Sequence, residues 1–160
     1  MMPASRLLLL LPFLAACGTV REWNELETEP MTLGACYDGL TACAQGARFV
    51  PDNAHSDRGL GELQSRWRRR EVQLRGTYYP VRNRLIAEIK VDEGSSETGW
   101  RLRYYIEQET VKDLSRHSTP QEDDWSADGQ DREGEMILGA MLERRLAPKS
   151  VLTEPRRNAR

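Results

Sequence analysis

The sequence predicts a small α+β domain, with an antiparallel β-meander of about three strands over residues 71–107 packed against a C-terminal helix. Two observations carry this. Apolar and polar residues alternate with period two in three successive runs, the signature of half-buried strands. A later segment repeats its apolar residues at helical spacing and orders its charges as a helix dipole favours.

In the first run, 71–79, Val72, Leu74 and Tyr78 alternate with Glu71, Gln73, Arg75 and Thr77. In the second, 85–91, Leu85, Ala87, Ile89 and Val91 stand against Glu88 and Lys90, with Ile86 as the exception. In the third, 100–106, Trp100, Leu102, Tyr104 and Ile106 alternate with Arg101, Arg103 and Tyr105. Residues 80–84 are of hairpin length and 92–99 form a polar loop, and short connections make neighbouring strands antiparallel. Further strands fit 45–51 and 108–112. Residues 112–133 are polar, with Pro120 and an acidic run at Glu122-Asp123-Asp124, and are expected as a long surface loop. From Arg132 to Leu146, the residues Leu138, Met141, Leu142 and Leu146 share one helical face. Glu133 and Glu135 lie near its start, Arg144 and Arg145 near its end, and Pro148 stops it. Upstream, 38–47 is expected as short helical turns and Pro51-Asp52-Asn53 as a breaker. A helix is expected from Ser56 or Asp57, with Leu60, Leu63 and Trp67 on one face, although Gly59 and Gly61 weaken it.

The first residues tell of destination. Arg6 precedes an apolar run from Leu7 to Leu14, too short for a membrane span of roughly 17–25 residues. A basic start, a short apolar run and small residues at the exit make a secretory signal. The exit, Leu14-Ala15-Ala16-Cys17-Gly18, resembles the lipobox of bacterial lipoproteins. That resemblance covers the first 18 residues or so. It implies cleavage before Cys17, acylation of its thiol, and a lipid-anchored protein of the cell envelope. Gly18 rather than Asp after the cysteine resembles lipoproteins sent on to the outer membrane, facing the periplasm. The expected organisation is a signal peptide over 1–16, a lipidated tether over 17–33, one domain over 34–147 and a loose basic tail over 148–160.

With 23 basic and 25 acidic residues the formal net charge is −2, which argues against a general nucleic-acid binder. Of three cysteines, Cys17 is committed to lipid. Cys36 and Cys43 form an even remainder in an oxidising compartment and are expected as one disulfide.

Chemistry is less legible. No phosphate loop, nucleophile elbow or zinc spacing is present, so no cofactor and no reaction is implied. The acidic stretch 124–135 places Asp124, Ser126, Asp128, Gly129 and Glu135 as in an EF-hand loop, which it resembles over twelve residues and which implies calcium. Asp131 stands where such loops carry an aliphatic residue, and Pro120 interrupts the entering helix. An acidic surface loop capping a helix explains the same residues. Arg66-Trp67-Arg68-Arg69-Arg70 reads as a solvated charge run, or as a contact for anionic lipid or a partner. Arg75, Tyr79, Arg101, Arg103 and Tyr105 fall on the outward face of the expected sheet and are residue types favoured at binding hot spots. The expected function is therefore a non-enzymatic binding or assembly factor at the envelope, accessory to a secretion or surface-structure machine, with an envelope protein as partner. A lipid-tethered inhibitor or immunity protein, and a calcium-dependent protein or enzyme using 124–135, are the alternatives.

Overall fold

A long hairpin organises the domain. The computed structural model describes residues 21–148 other than 75, 114, 116 and 117. Its elements are β1 (Asn24–Glu27), α1 (Leu33–Gly46), β2 (Glu62–Gln64), β3 (Arg68–Leu74), β4 (Thr77–Ser95), β5 (Gly99–Val111), β6 (Trp125–Gln130) and α2 (Arg132–Leu146). All strand pairs are antiparallel. β4 and β5 pair along most of their length, from Val81↔Thr110 to Lys90↔Arg101. Each is long enough to carry two short strands in tandem on its other side. β2 and β3 line β4, and β1 and β6 line β5. The class is α+β, and the C-terminal helix packs on the antiparallel sheet as the sequence predicts.

Both helices cover one face. α1 buries Cys36, Gly39, Leu40, Cys43 and Ala44, spaced i, i+3, i+4, i+7, i+8. Thr32 caps it by accepting from the Ala35 amide at 3.2 Å. α2 turns Leu138, Leu142 and Leu146 inward, and Gly39 of α1 gives way to the Leu146 side chain. Opposite them, the sheet presents Leu85, Ala87 and Ile89 of β4 and Leu102, Tyr104 and Ile106 of β5, with Phe49 and Leu63 filling the end of the layer. Among the described residues no helix is long and apolar enough to cross a membrane.

Several expected boundaries are corrected. The alternation in 71–79 is broken by a turn at Gly76 (φ 83°), so the run divides between β3 and β4. Residues 80–84, expected as a connection of hairpin length, lie inside β4. Pro80 is tolerated there because it pairs with Glu71 of β3 before the β5 ladder begins. The expected helix from 56 onward does not form. Gly61 takes φ 73° and its backbone closes on Ile89, where a Cβ would collide with the Ile89 carbonyl, and Leu63 reaches the core from β2. Residues 108–111 do extend the sheet, whereas 45–51 contributes only the end of α1 and an isolated bridge, Pro51↔Ser65.

Residues 21–33, expected as part of the tether, belong to the domain. β1 pairs with β5 over Asn24↔Tyr104 to Glu27↔Arg101. The Thr28 carbonyl then packs against Gly99 (φ 89°) where any side chain would collide. Cys17 lies outside the described residues, as does 149–160.

The expected Cys36–Cys43 disulfide is overturned. Both cysteines are free and buried in one continuous helix. Seven residues of α-helix rise about 10.5 Å, while a disulfide needs Cα atoms about 4.4–6.8 Å apart. Their shared spacing is that of a core face.

Candidate interaction face

The sheet's second face carries no helix. Alternation places Arg82, Arg84, Ile86, Glu88 and Lys90 of β4 there, facing Glu109, Glu107, Tyr105, Arg103 and Arg101 of β5 in register. Charge therefore reverses across the central Ile86–Tyr105 pair. Arg82 bonds Glu109 at 2.6 Å, Arg84 bonds Glu107 at 2.7 Å, and Arg103 bonds Glu88 at 2.5 Å. The like-charged Lys90–Arg101 pair is relieved from the side. Lys90 reaches Glu88 at 3.1 Å, and Arg101 reaches Glu93 at 2.7 Å. Opposite charges directly across a ladder stabilise it and oppose slippage.

Three tryptophans are laid into this ladder from the flanking segments. Trp67, between β2 and β3, lies 4.5 Å from both the Arg82 and Arg84 guanidinium groups. Trp125 of β6 lies 4.8 Å from Arg82 and 5.6 Å from Arg69. Trp23 meets Tyr105 edge-on at 4.6 Å, and Arg103 lies 4.4 Å over its ring. These are cation–π distances. The result is a layer of flat groups, guanidinium against indole, covering the sheet in place of a second set of helices. Arg82 and Tyr105 are buried beneath it.

The electrostatics follow from this packing. Burial alone would push the Glu88 carboxyl up, but Arg103 and Lys90 outweigh it and hold it below its usual range. Burial would lower the Arg82 guanidinium, but Glu122 and Glu109 reverse that and hold it above. Tyr105 is pushed up, first by burial. The opposite charges on the face are thus paired with one another across the ladder.

Of the residues the sequence singles out, Arg101, Arg103 and Tyr105 come together on this face. Tyr79 does not. The β4 ladder runs unbroken from Val81 back to Tyr79, so Tyr79 shares the face of Val81, opposite to the other three. Arg75 lies outside the described residues. The arginine run 66–70 is not a merely solvated charge run, since Arg68–Arg70 lie in β3. Arg69 joins the indole layer, while Arg68 turns to the helix side, over Phe49 at 4.3 Å and onto the Ala47 carbonyl at 2.7 Å.

The calcium-loop reading is overturned. Ser126, Asp128 and Gly129 lie in β6, an extended strand, and Asp124 ends a short 3-10 turn, Glu122–Asp124. Asp131 caps α2 instead, accepting from the Gly134 amide at 3.1 Å. Glu135 is buried, and its carboxylate accepts from the Ile106 amide at 2.9 Å, from Gln130 Nε2 at 2.8 Å and from Arg132 at 3.1 Å. Among the described residues no group of three or more His, Cys, Asp or Glu is placed to hold a metal ion. His55 pairs with Asp52 at 2.9 Å in an exposed turn.

The sequence-based expectation names Trp67 only within the 66–70 run and passes over Arg82, Arg84 and Trp125. Arg82 and Arg84 keep the period of Glu88 and Lys90, so the alternation is continuous through the expected connection. The tryptophans carry no such signal, because each enters from a separate flanking segment. The chain matches no known protein-family model and no curated protein.

Proposed function

We propose that the chain is a lipid-anchored, periplasm-facing envelope protein that acts without catalysis, binding an envelope partner through the helix-free face. One observation supports the binding role most directly: the two clusters of arginine with tryptophan and tyrosine on that face. Arg, Trp and Tyr are enriched at binding hot spots because they offer large, stiff, amphipathic contact area. Compensation by Glu88, Glu107 and Glu109 leaves the face without a strong field of one sign, which suits a polar protein surface better than a polyanion. The N-terminal pattern supports the anchor, with an apolar run ending at Leu14-Ala15-Ala16-Cys17. An anchored protein meets neighbours at high local concentration, so modest affinity suffices.

The test places a photo-crosslinking side chain at Arg101 or Trp67, on the face, and at Arg144, exposed on α2, in the full-length protein expressed in cells. A defined set of envelope components captured from the face positions and not from Arg144 is expected. Equal capture from both sides would overturn the reading. Capture of one secreted toxic enzyme would overturn it in favour of an inhibitor.

A further inference from the structure

The N-terminal strand is locked onto one margin of the sheet by several contacts. Arg21 reaches Glu107 at 2.6 Å. The Glu22 amide donates to Gln130 Oε1 at 2.9 Å, and Gln130 Nε2 donates back to the Glu22 carbonyl at 2.8 Å. The Glu22 carboxylate meets Arg132, at the start of α2, at 2.5 Å. Trp23 packs on Tyr105 and Arg103, and β1 follows. The chain therefore joins the fold at Arg21, on the margin made by β1 and β6. The opposite margin is made by β2 and β3.

From Cys17 to Arg21 the backbone can span at most about 14 Å. A folded chain of about 130 residues has a radius of about 18 Å. A link shorter than that radius cannot let the domain turn its attachment point away from the bilayer. We infer that the β1/β6 margin around Arg21, Trp23 and Arg132 lies against the phospholipid headgroups, and that the β2/β3 margin points away from the membrane. This rests on the reading of Cys17 as the acylated residue. The charges of the margin are mixed and paired, Arg21 with Glu107 and Arg132 with Glu22, so the short link and not charge sets this orientation, with Trp23 an indole of the kind enriched at membrane–water interfaces. Partners of the helix-free face would then have to lie in the zone next to the bilayer, as membrane-embedded or membrane-anchored proteins do.

One cross-strand row provides the ruler. Glu25 of β1, Arg103, Glu88 and Glu62 of β2 stand side by side across the sheet. Its two ends are about 14 Å apart, three strand spacings. Glu25 and Glu62 are both exposed. The full-length protein, processed in bacteria, carries a fluorophore on Glu25→Cys or on Glu62→Cys. It is reconstituted into phosphatidylethanolamine–phosphatidylglycerol vesicles with nitroxide-labelled headgroups. Quenching at position 25 should exceed that at position 62 several-fold. A spacer of twenty Gly/Ser residues between Gly18 and Thr19 should abolish the difference. Acylated protein quenched equally at both positions, or a difference that survives the spacer, would overturn the inference alone. Intact mass showing an unmodified Cys17 would overturn the anchor reading, and the inference with it.

Discussion

Asn83 of β4 and Asp131 at the start of α2 meet at 2.5 Å, both buried, joining the central strand to the C-terminal helix. Asp131 also accepts from the Gly134 amide and lies 3.1 Å from Arg70, while Arg68 Nε donates to Asn83 Oδ1 at 3.1 Å. A neighbouring pair, the Asp131 amide to the Ile106 carbonyl and the Ile106 amide to Glu135, fastens α2 to β5. Because the helix N-terminus depends on buried partners, Asp131→Ala should cost about 2–4 kcal/mol. A lost cap contributes about 1 kcal/mol and the rest comes from the buried Asn83 amide left without its acceptor and from the lost Arg70 pair. Urea denaturation measures it. An unchanged midpoint would show that the cluster is not what holds α2 in place.

Arg82 is buried under the helix-free layer near one end of the β4–β5 ladder. It is bonded to Glu109 and Glu122 and stacked between Trp67 and Trp125. A lysine would keep the charge but lose the flat stack and the forked donors. Arg82→Lys is therefore expected to lose most of what Arg82→Ala loses. In a double-mutant cycle, Arg82→Lys with Trp67→Leu should show a coupling of about 0.5–2 kcal/mol. Simple additivity would mean that the stack contributes nothing and that the charge pairs alone matter.

Acid should weaken the face. The folded Glu88 carboxyl sits below its unfolded value. A depressed carboxylate contributes stability that is present above the unfolded value, near 4.3, and is lost as pH falls through the folded value. Thermal stability of the wild type should fall over that acidic window. Glu88→Gln should be less stable at neutral pH and lose less on acidification. Parallel pH profiles for the two proteins would count against the Arg103–Glu88 pair as a contributor.

The parts of this fold that were legible are those in which one periodic run makes one element. The Leu138, Leu142, Leu146 face marked α2, and the Leu102, Tyr104, Ile106 alternation marked β5. What hid was long-range pairing. β1 is only Asn24–Glu27 and looks like polar tether, because its outward residues are acidic and its partner is nearly 80 residues away. β6, Trp125–Gln130, is similarly short, and its Asp-Gly content imitates a loop. Of the face, Arg101, Arg103 and Tyr105 were visible because β5 alternates cleanly. Their indole partners were not, since Trp23, Trp67 and Trp125 reach the hairpin only when the flanking segments dock on either side of it. The cysteines misled for a related reason. An even pair in an oxidising compartment suggests a bridge, but i, i+7 spacing is also what the buried face of a helix requires.

Those two thiols make the last prediction. Cys36 and Cys43 point from one face of α1 into the core, and neither can reach the other while the helix is intact. Burial raises both thiols, Cys36 to about 11, so the nucleophilic thiolate is scarce at pH 8 in the folded protein. Alkylation of the native protein at that pH should be slow at both positions and should accelerate sharply in urea without any reductant. Intact mass should then show two added groups beyond any acylation of Cys17. The folded Cys36 thiol is raised above its unfolded value. Its contribution to stability is therefore complete below the unfolded value, near 8.5, and is lost as pH rises through about 11. The denaturation midpoint should decline across that alkaline window, and Cys36→Ala should flatten the decline at the cost of a small cavity. A protein from the envelope that gains these labels only after reduction would mean that α1 does not persist as one helix there.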